Sequence, residues 1–195
     1  MNKKITWGVI LLRAQPFHYG HAELIKKACR ENDKVLVLVG SADKSGNIRN
    51  PIPIEFRIEL IKKSLDDIDK DLFSKVIIVP LKDYTDESDN SHDWGFYLYS
   101  NIVKHIKCAE FFMYYSDGWK IIMDWFPDFL LKDFVSFQLL ARGTIYDNLS
   151  ATHVRETIVK ADYEELEKIV PRPVFEEREK IRDYILKSII NATKK

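Results

Sequence analysis

The chain opens with a nearly continuous apolar run, Ile5 to Leu12, closed by Arg13. Such a run fits a parallel strand buried on both faces. Beyond a turn, Ala14 to Gly20, apolar residues recur at Ala22, Leu24, Ile25 and Ala28 within a helix spanning His21 to Arg30, and Glu31-Asn32-Asp33 ends the pattern. That spacing puts them on one helical face. A second buried run, Lys34 to Gly40, completes a strand-helix-strand unit, which the right-handed crossover rule turns into adjacent parallel strands. The alternation continues. A polar loop over Ser41 to Pro53 precedes a helix from about Ile54 to Ile68 and a strand at Val76 to Val79. A second polar loop, Lys82 to Ser91, leads to a helix over Phe96 to Ile106 and a strand over Phe111 to Tyr115. A short helix is predicted at Gly118 to Asp124, a fifth strand within Asp133 to Leu140, and a helix over Ala151 to Lys160 with Ser150 as N-cap. Glu176 to Ile190 reads as an amphipathic helix. The expected fold is α/β: a Rossmann-like open parallel sheet of about five strands with helices on both faces and a C-terminal helical segment, about 151–190, packing on the core. A length of 195 residues suits a single domain over 1–195.

Composition narrows the partners. Hydrophobic residues at 46% and aromatics at 12% indicate a folded chain. Lys plus Arg and Asp plus Glu both total 30, so no global field attracts nucleic acid or an anionic membrane, and an anionic ligand must be met by a local cluster. Cys29 and Cys108 lack metal-ligand spacing and read as buried free thiols of a reducing compartment. The first apolar run is too short to span a bilayer and lacks a small-residue cleavage site. A cytoplasmic protein with no membrane and no nucleic-acid partner is expected.

The first candidate chemistry is His18-Tyr19-Gly20-His21, at the strand-to-helix turn. Two histidines three residues apart can face one pocket there. The helix start adds unpaired N–H groups and partial positive charge, which makes an anion site. Gly20 leaves room for close approach, and imidazole can donate to phosphate in either charge state. A zinc site is disfavoured, because no third or fourth ligand stands out.

With this turn placed between the first strand and first helix, the sequence resembles the HxGH nucleotidyltransferases. Within them it is similar to nicotinamide-mononucleotide adenylyltransferases of the archaeal and bacterial bifunctional type, whose opening pattern Arg13 to His21 follows. Leu12 and Ala14 stand where that pattern has glycine and an aromatic residue. Gly40-Ser41-Ala42, then Asn47 to Pro51 and Arg57, look like the family's second-strand loop. Pro80 to Tyr84 and Trp94 match the segment leading to its nicotinamide-facing tryptophan, and Leu149 to Arg155 look like its late Ser/Thr–Arg signature. The Nudix half of the bifunctional members finds no counterpart in this sequence.

The resemblance implies transfer of AMP from ATP to nicotinamide mononucleotide, giving NAD and pyrophosphate. The attacking phosphate is already ionised, so the site needs positioning and charge stabilisation rather than a general base. It implies His18, His21 and Arg155 as catalytic residues, and Arg13, Ala14, Gln15, Gly20, Asp117, Ser150 and Thr152 as ATP-binding residues. Gly40, Ser41, Arg49, Asn50 and Trp94 would bind the mononucleotide. Mg²⁺ would arrive on ATP, with no protein metal site. A homo-oligomer is compatible with it. Asp117 also suits a helix cap, and Trp94 the first core residue of its helix. The rival readings are a phosphopantetheine adenylyltransferase or cytidylyltransferase, which Trp94 and the Ser41 to Pro51 loop disfavour, and a non-catalytic ATP- or NAD-binding module, which Leu12 and Ala14 favour.

Overall fold

The computed structural model describes residues 4–85, 91–116, 123–140 and 149–194. Its centre is a parallel sheet of β1 (Trp7–Leu12), β2 (Lys34–Val39), β3 (Val76–Pro80), β4 (Phe111–Ser116) and β5 (Val135–Leu140). The strand order is β3-β2-β1-β4-β5, all neighbours parallel. The chain therefore winds outward from β1 in one direction and then the other. The switch lies between β1 and β4, and in open α/β sheets the crevice at such a point is where ligands bind.

Alternating strand side chains feed two cores. Val35, Val37, Val39, Ile10 and Leu12 face a layer made by α1 (Tyr19–Glu31), α2 (Ile54–Phe73), α5 (Ala151–Lys160), α6 (Tyr163–Ile169), α7 (Arg172–Glu176) and α8 (Arg178–Thr193). Leu36, Leu38, Val9, Met113 and Tyr115 face α3 (His92–Ile106), α4 (Asp128–Asp133) and the Trp125-Phe126 segment. Central strands buried on both faces explain why β1 and β2 read as unbroken apolar runs.

Several boundaries depart from the sequence expectation. The first helix begins at Tyr19 rather than His21, so the second histidine lies inside it. The third begins at His92 rather than Phe96, because the Ser91 hydroxyl accepts from Trp94 N and starts the helix early. The helix α2 runs on to Phe73 through a non-helical residue, Asp69, whose carboxylate accepts from Leu72 N. The short helix α4 follows Pro127, and its single buried side chain, Leu130, gave no periodic signal. The helix expected over Glu176 to Ile190 is α8, with Ile181 and Ile185 on its inward face, and two short helices, α6 and α7, precede it, the breaks falling at Pro171 and Glu177. The helix expected over 118–124 lies mostly outside the described residues. Cys29 is buried and free, and burial pushes its thiol up to about 11. The expectation that Cys108 is also buried is corrected: at the α3–β4 connection it is only partly covered, with its thiol directed to Glu110 O.

Candidate active site at the carboxyl edge of the sheet

Three segments meet above β1. The first is the β1–α1 turn. Ala14, directly after Arg13, adopts φ 49°, and Ser41 does the same after β2. For residues with a Cβ this left-handed geometry costs roughly 1–2 kcal/mol each, so both turns must be held by their surroundings. They are. The Gln15 carboxamide pairs with the Ile52 backbone, accepting from Ile52 N at 3.0 Å and donating to Ile52 O at 3.3 Å. Gly40 N donates to Leu12 O at 2.9 Å, and Leu12 itself is a regular strand residue paired with Val39, its side chain in the core. Glycine is not required at that position by the local geometry.

His18 is the N-cap residue of α1, in an extended conformation, and contributes no side-chain cap; the first turn carries no acid. The positive end of this helix is therefore not complemented by its own cap or first turn. The His18 and His21 rings stack with centroids 3.7 Å apart. Their Nδ1 atoms are buried without a hydrogen-bond partner among the described residues. Burial holds His18 well below the usual imidazole range, with the neighbouring His21 adding to the effect, and burial lowers His21 to about 4. The sequence reading allowed imidazolium donors; burial instead favours the neutral form of both rings, since two stacked cations there would be desolvated and would repel. Gly20 has a local reason: a Cβ there would lie 3.1 Å from the His18 ring atoms Cε1 and Nδ1. Its missing side chain gives His18 room.

The second segment is the start of α5. Ser150 caps it, its hydroxyl accepting from His153 N at 3.1 Å. Arg155 turns back from this helix, donating to Thr152 Oγ1 at 3.1 Å and to Gln15 O at 2.8 Å. A residue near the end of the sheet's winding is thus tied to the first turn. Arg49 and Arg155 both act on Arg13: its guanidinium is lowered by burial first, then by their charges, with Asp83 opposing. Burial also lowers Arg155. Among the described residues none of the three forms an ion pair with an acid.

The third segment joins the β2 and β3 loops. Ser41 N and Oγ both donate to Asp83 Oδ1, at 3.2 and 3.1 Å, and Lys44 pairs with Asp83 Oδ2 at 3.2 Å. Arg49 is exposed, while Asn50 is buried, with its N–H bonded to Asn47 Oδ1 and its own Oδ1 without a partner. Trp94 is 9% exposed, its ring packed between Tyr97 and Trp125 at 5.6 and 5.9 Å. From it the rings of Tyr97 and Tyr84 step outward at 5.3 Å. The predicted Asp117 lies outside the described residues.

Two residues were not picked out as site residues by sequence reasoning. Asp83 bridges two loops. Arg57 is fully buried on α2 and reaches the carbonyls of Arg13, Gly40 and Ser41. Its signal was present: an arginine on the apolar stripe shared with Ile54, Ile61 and Leu65 needs buried acceptors.

This sheet order, with a histidine-bearing strand-to-helix turn and a helix-borne arginine closing on it, defines a Rossmann-like α/β domain. The chain belongs to the cytidylyltransferase-like family, whose model matches residues 13–157. Curated relatives include nicotinamide-nucleotide adenylyltransferases of Saccharolobus solfataricus, 41% identical over 71 residues (36% of this chain and 41% of the relative), and Archaeoglobus fulgidus, 36% identical over 73 residues (36% and 42%). These matches span about two-fifths of the relatives' length. Among solved structures, a bifunctional NMN adenylyltransferase/ADP ribose pyrophosphatase from Francisella tularensis, complexed with AMP and a manganese ion, superposes with a TM-score of 0.69 at 23% identity, covering 97% of this chain and 54% of that one. The Plasmodium falciparum nicotinic acid mononucleotide adenylyltransferase complexed with NaAD gives 0.61 at 15% identity, covering 94% and 96%. The fold they share is this one.

Proposed function

We propose that the chain transfers the adenylyl group of ATP to nicotinamide mononucleotide, releasing pyrophosphate and forming NAD. The observation that carries the reading is the bond from Arg155 to Gln15 O at 2.8 Å, which ties a helix-borne guanidinium to the β1–α1 turn, next to the uncapped start of α1 and its two buried imidazoles. Relatives named for this activity support it, as does the AMP bound in the Francisella structure.

His18 and His21 bind the ATP phosphates, together with the backbone of Ala14, Gln15 and Gly20. Arg13 and Arg155 stabilise charge on the transferring group and leaving pyrophosphate, with Ser150 and Thr152 orienting the start of α5. Planar guanidinium forks match phosphate oxygens. Gly40, Ser41, Arg49 and Asn50 bind the mononucleotide, whose ring rests on the side of the pocket backed by Trp94. Asp117 contacts the adenosine. The attacking phosphate oxygen is an anion, so alignment and electrostatics supply the rate enhancement. A divalent ion, Mg²⁺, enters as part of the ATP substrate. Mg²⁺ dehydrates reluctantly and binds readily through substrate phosphates, so few direct protein ligands are expected. Residues 1–195 act as one domain in a cytoplasmic setting; among the described residues no helix is long and apolar enough to cross a membrane.

Incubation with Mg-ATP and, separately, nicotinamide mononucleotide, nicotinate mononucleotide and phosphopantetheine, and with CTP and glycerol phosphate, tests the reading. NAD and pyrophosphate are expected in equal amounts from the first. Robust turnover of another pair with none of this one would sink it.

A further inference from the structure

Arg57 sits on α2, after the second loop, and its side chain has no solvent exposure. Its Nη1 donates to Arg13 O and Gly40 O, both at 2.8 Å, and Nη2 to Ser41 O at 2.9 Å. No carboxylate bonds to it among the described residues. Asp83 and Glu55 act favourably on it without bonding to it, and burial outweighs them; a guanidinium buried in this way is costly, and an apolar side chain would fill the same stripe of α2 without that cost. What the apolar side chain would lack is a planar fork able to hold separate carbonyls in fixed geometry. The three acceptors end two adjacent strands. Arg13 O immediately precedes the left-handed Ala14, and Ser41 is itself left-handed.

We propose that Arg57 is a positioning residue for this site, its fork holding the turn that carries Arg13 and leads to His18 in register with the Gly40-Ser41 turn of the mononucleotide side. What is being aligned rests on the adenylyl-transfer reading; the alignment itself rests on the hydrogen bonds. A second tie joins the same regions, the Gln15–Ile52 amide pairing. Loss of Arg57 therefore loosens the register without separating the segments.

The test compares wild type with Arg57→Met and Arg57→Lys by thermal melting, calorimetric titration with ATP and initial rates with ATP and nicotinamide mononucleotide. The titration stoichiometry counts competent sites. Per competent site, Arg57→Met is expected to lower turnover about 100-fold, the scale of a 1 Å misplacement, and to weaken ATP binding about 10-fold. Arg57→Lys, which keeps the charge but not the fork, should recover less than about a third of the turnover. Wild-type affinity and turnover per site in Arg57→Met would reduce Arg57 to a fold-holding residue and overturn the proposal, as would full recovery by lysine. Should the methionine variant fail to fold, the lysine variant carries both readouts. If wild type itself forms no NAD, the adenylyl-transfer reading fails, and the ATP titrations alone then decide the role of Arg57.

Discussion

Two helices leave the carboxyl edge of the sheet on opposite faces, and their first turns are built to opposite ends. At the start of α3, Ser91 caps the helix, Asp93 complements its dipole, and Trp94 and Gly95 pack against the Trp125 segment. Ser91, Trp94 and Gly95 there each meet a partner within the fold. At the start of α1 there is no side-chain cap and no acid, and two buried imidazoles leave Nδ1 atoms without partners among the described residues. Buried polar groups without partners are destabilising, so a fold retains them where a ligand supplies the missing bonds. On the proposed function, the difference separates a helix start that serves packing from one that serves phosphate.

The largest expected effect breaks the comparison outright if it fails. His21→Ala and Arg155→Met should each lower turnover about 10²–10³-fold, or about 3–4 kcal/mol, as loss of an electrostatic donor at a transferring group does. Asp93→Asn at α3 should leave the rate within about twofold. Steady-state kinetics on all three decides it: equal losses at both helix starts would mean the α1 turn has no special standing.

The next effect is pH dependence. His21 titrates near 4 in the folded chain against an ordinary 6.5, and His18 is also held well below that value. A depressed folded pKa means that the unfolded chain binds protons first as pH falls. Stability from these rings is therefore fully present above about 6.5 and is lost as pH drops from there towards 4. At about 1.4 kcal/mol per unit, His21 alone accounts for on the order of 3 kcal/mol. Denaturant titrations from pH 7.5 to 4.5 should show this loss, and His21→Asn should flatten it. A nucleotide phosphate beside the rings reverses the local field, so ATP binding near pH 6 should take up protons, seen as a buffer-dependent heat.

Much of this architecture was legible beforehand because its signals are local. Unbroken apolar runs reported β1 and β2, and the turn between β1 and α1 carried its own histidines. Ser150 as a cap followed from its place before an apolar-periodic segment. What escaped was set by contacts between distant segments. The pairing of Arg155 with Gln15 O joins residues 140 apart, and the three carbonyls that receive Arg57 belong to loops whose proximity only the sheet order creates. The burial of Trp94 was open to sequence as the first core residue of its helix, but its contact with the distant Trp125 was not. The depressed pKa of the histidines likewise arises from packing that spacing alone does not report.

A smaller effect sharpens the α3 side. A Cβ on Gly95 would lie 1.8 Å from Trp125 O, a backbone atom that cannot swing aside. Gly95→Ala gains helix propensity but must separate α3 from that segment, and a net loss near the upper end of about 1–3 kcal/mol is expected. Equilibrium unfolding measures it. A stabilised variant would show that α3 does not rest on this backbone contact.

The smallest effect exchanges the two designs. Ser91→Ala should cost about 1 kcal/mol by leaving the Trp94 N–H without its acceptor. His18→Asn does the reverse at α1: asparagine is a favoured N-cap, and the substitution removes a buried Nδ1 that lacks a partner. Losing the ring contact with His21 offsets part of that gain, so a net stabilisation of about 0.5 kcal/mol is expected. ATP affinity should fall in the same variant, because the group removed is one that the fold leaves to the ligand. Unfolding curves and ATP titration on the one protein give both quantities. Loss of stability together with unchanged ATP affinity would mean that His18 serves packing, and the two helix starts would then differ only in how they are capped.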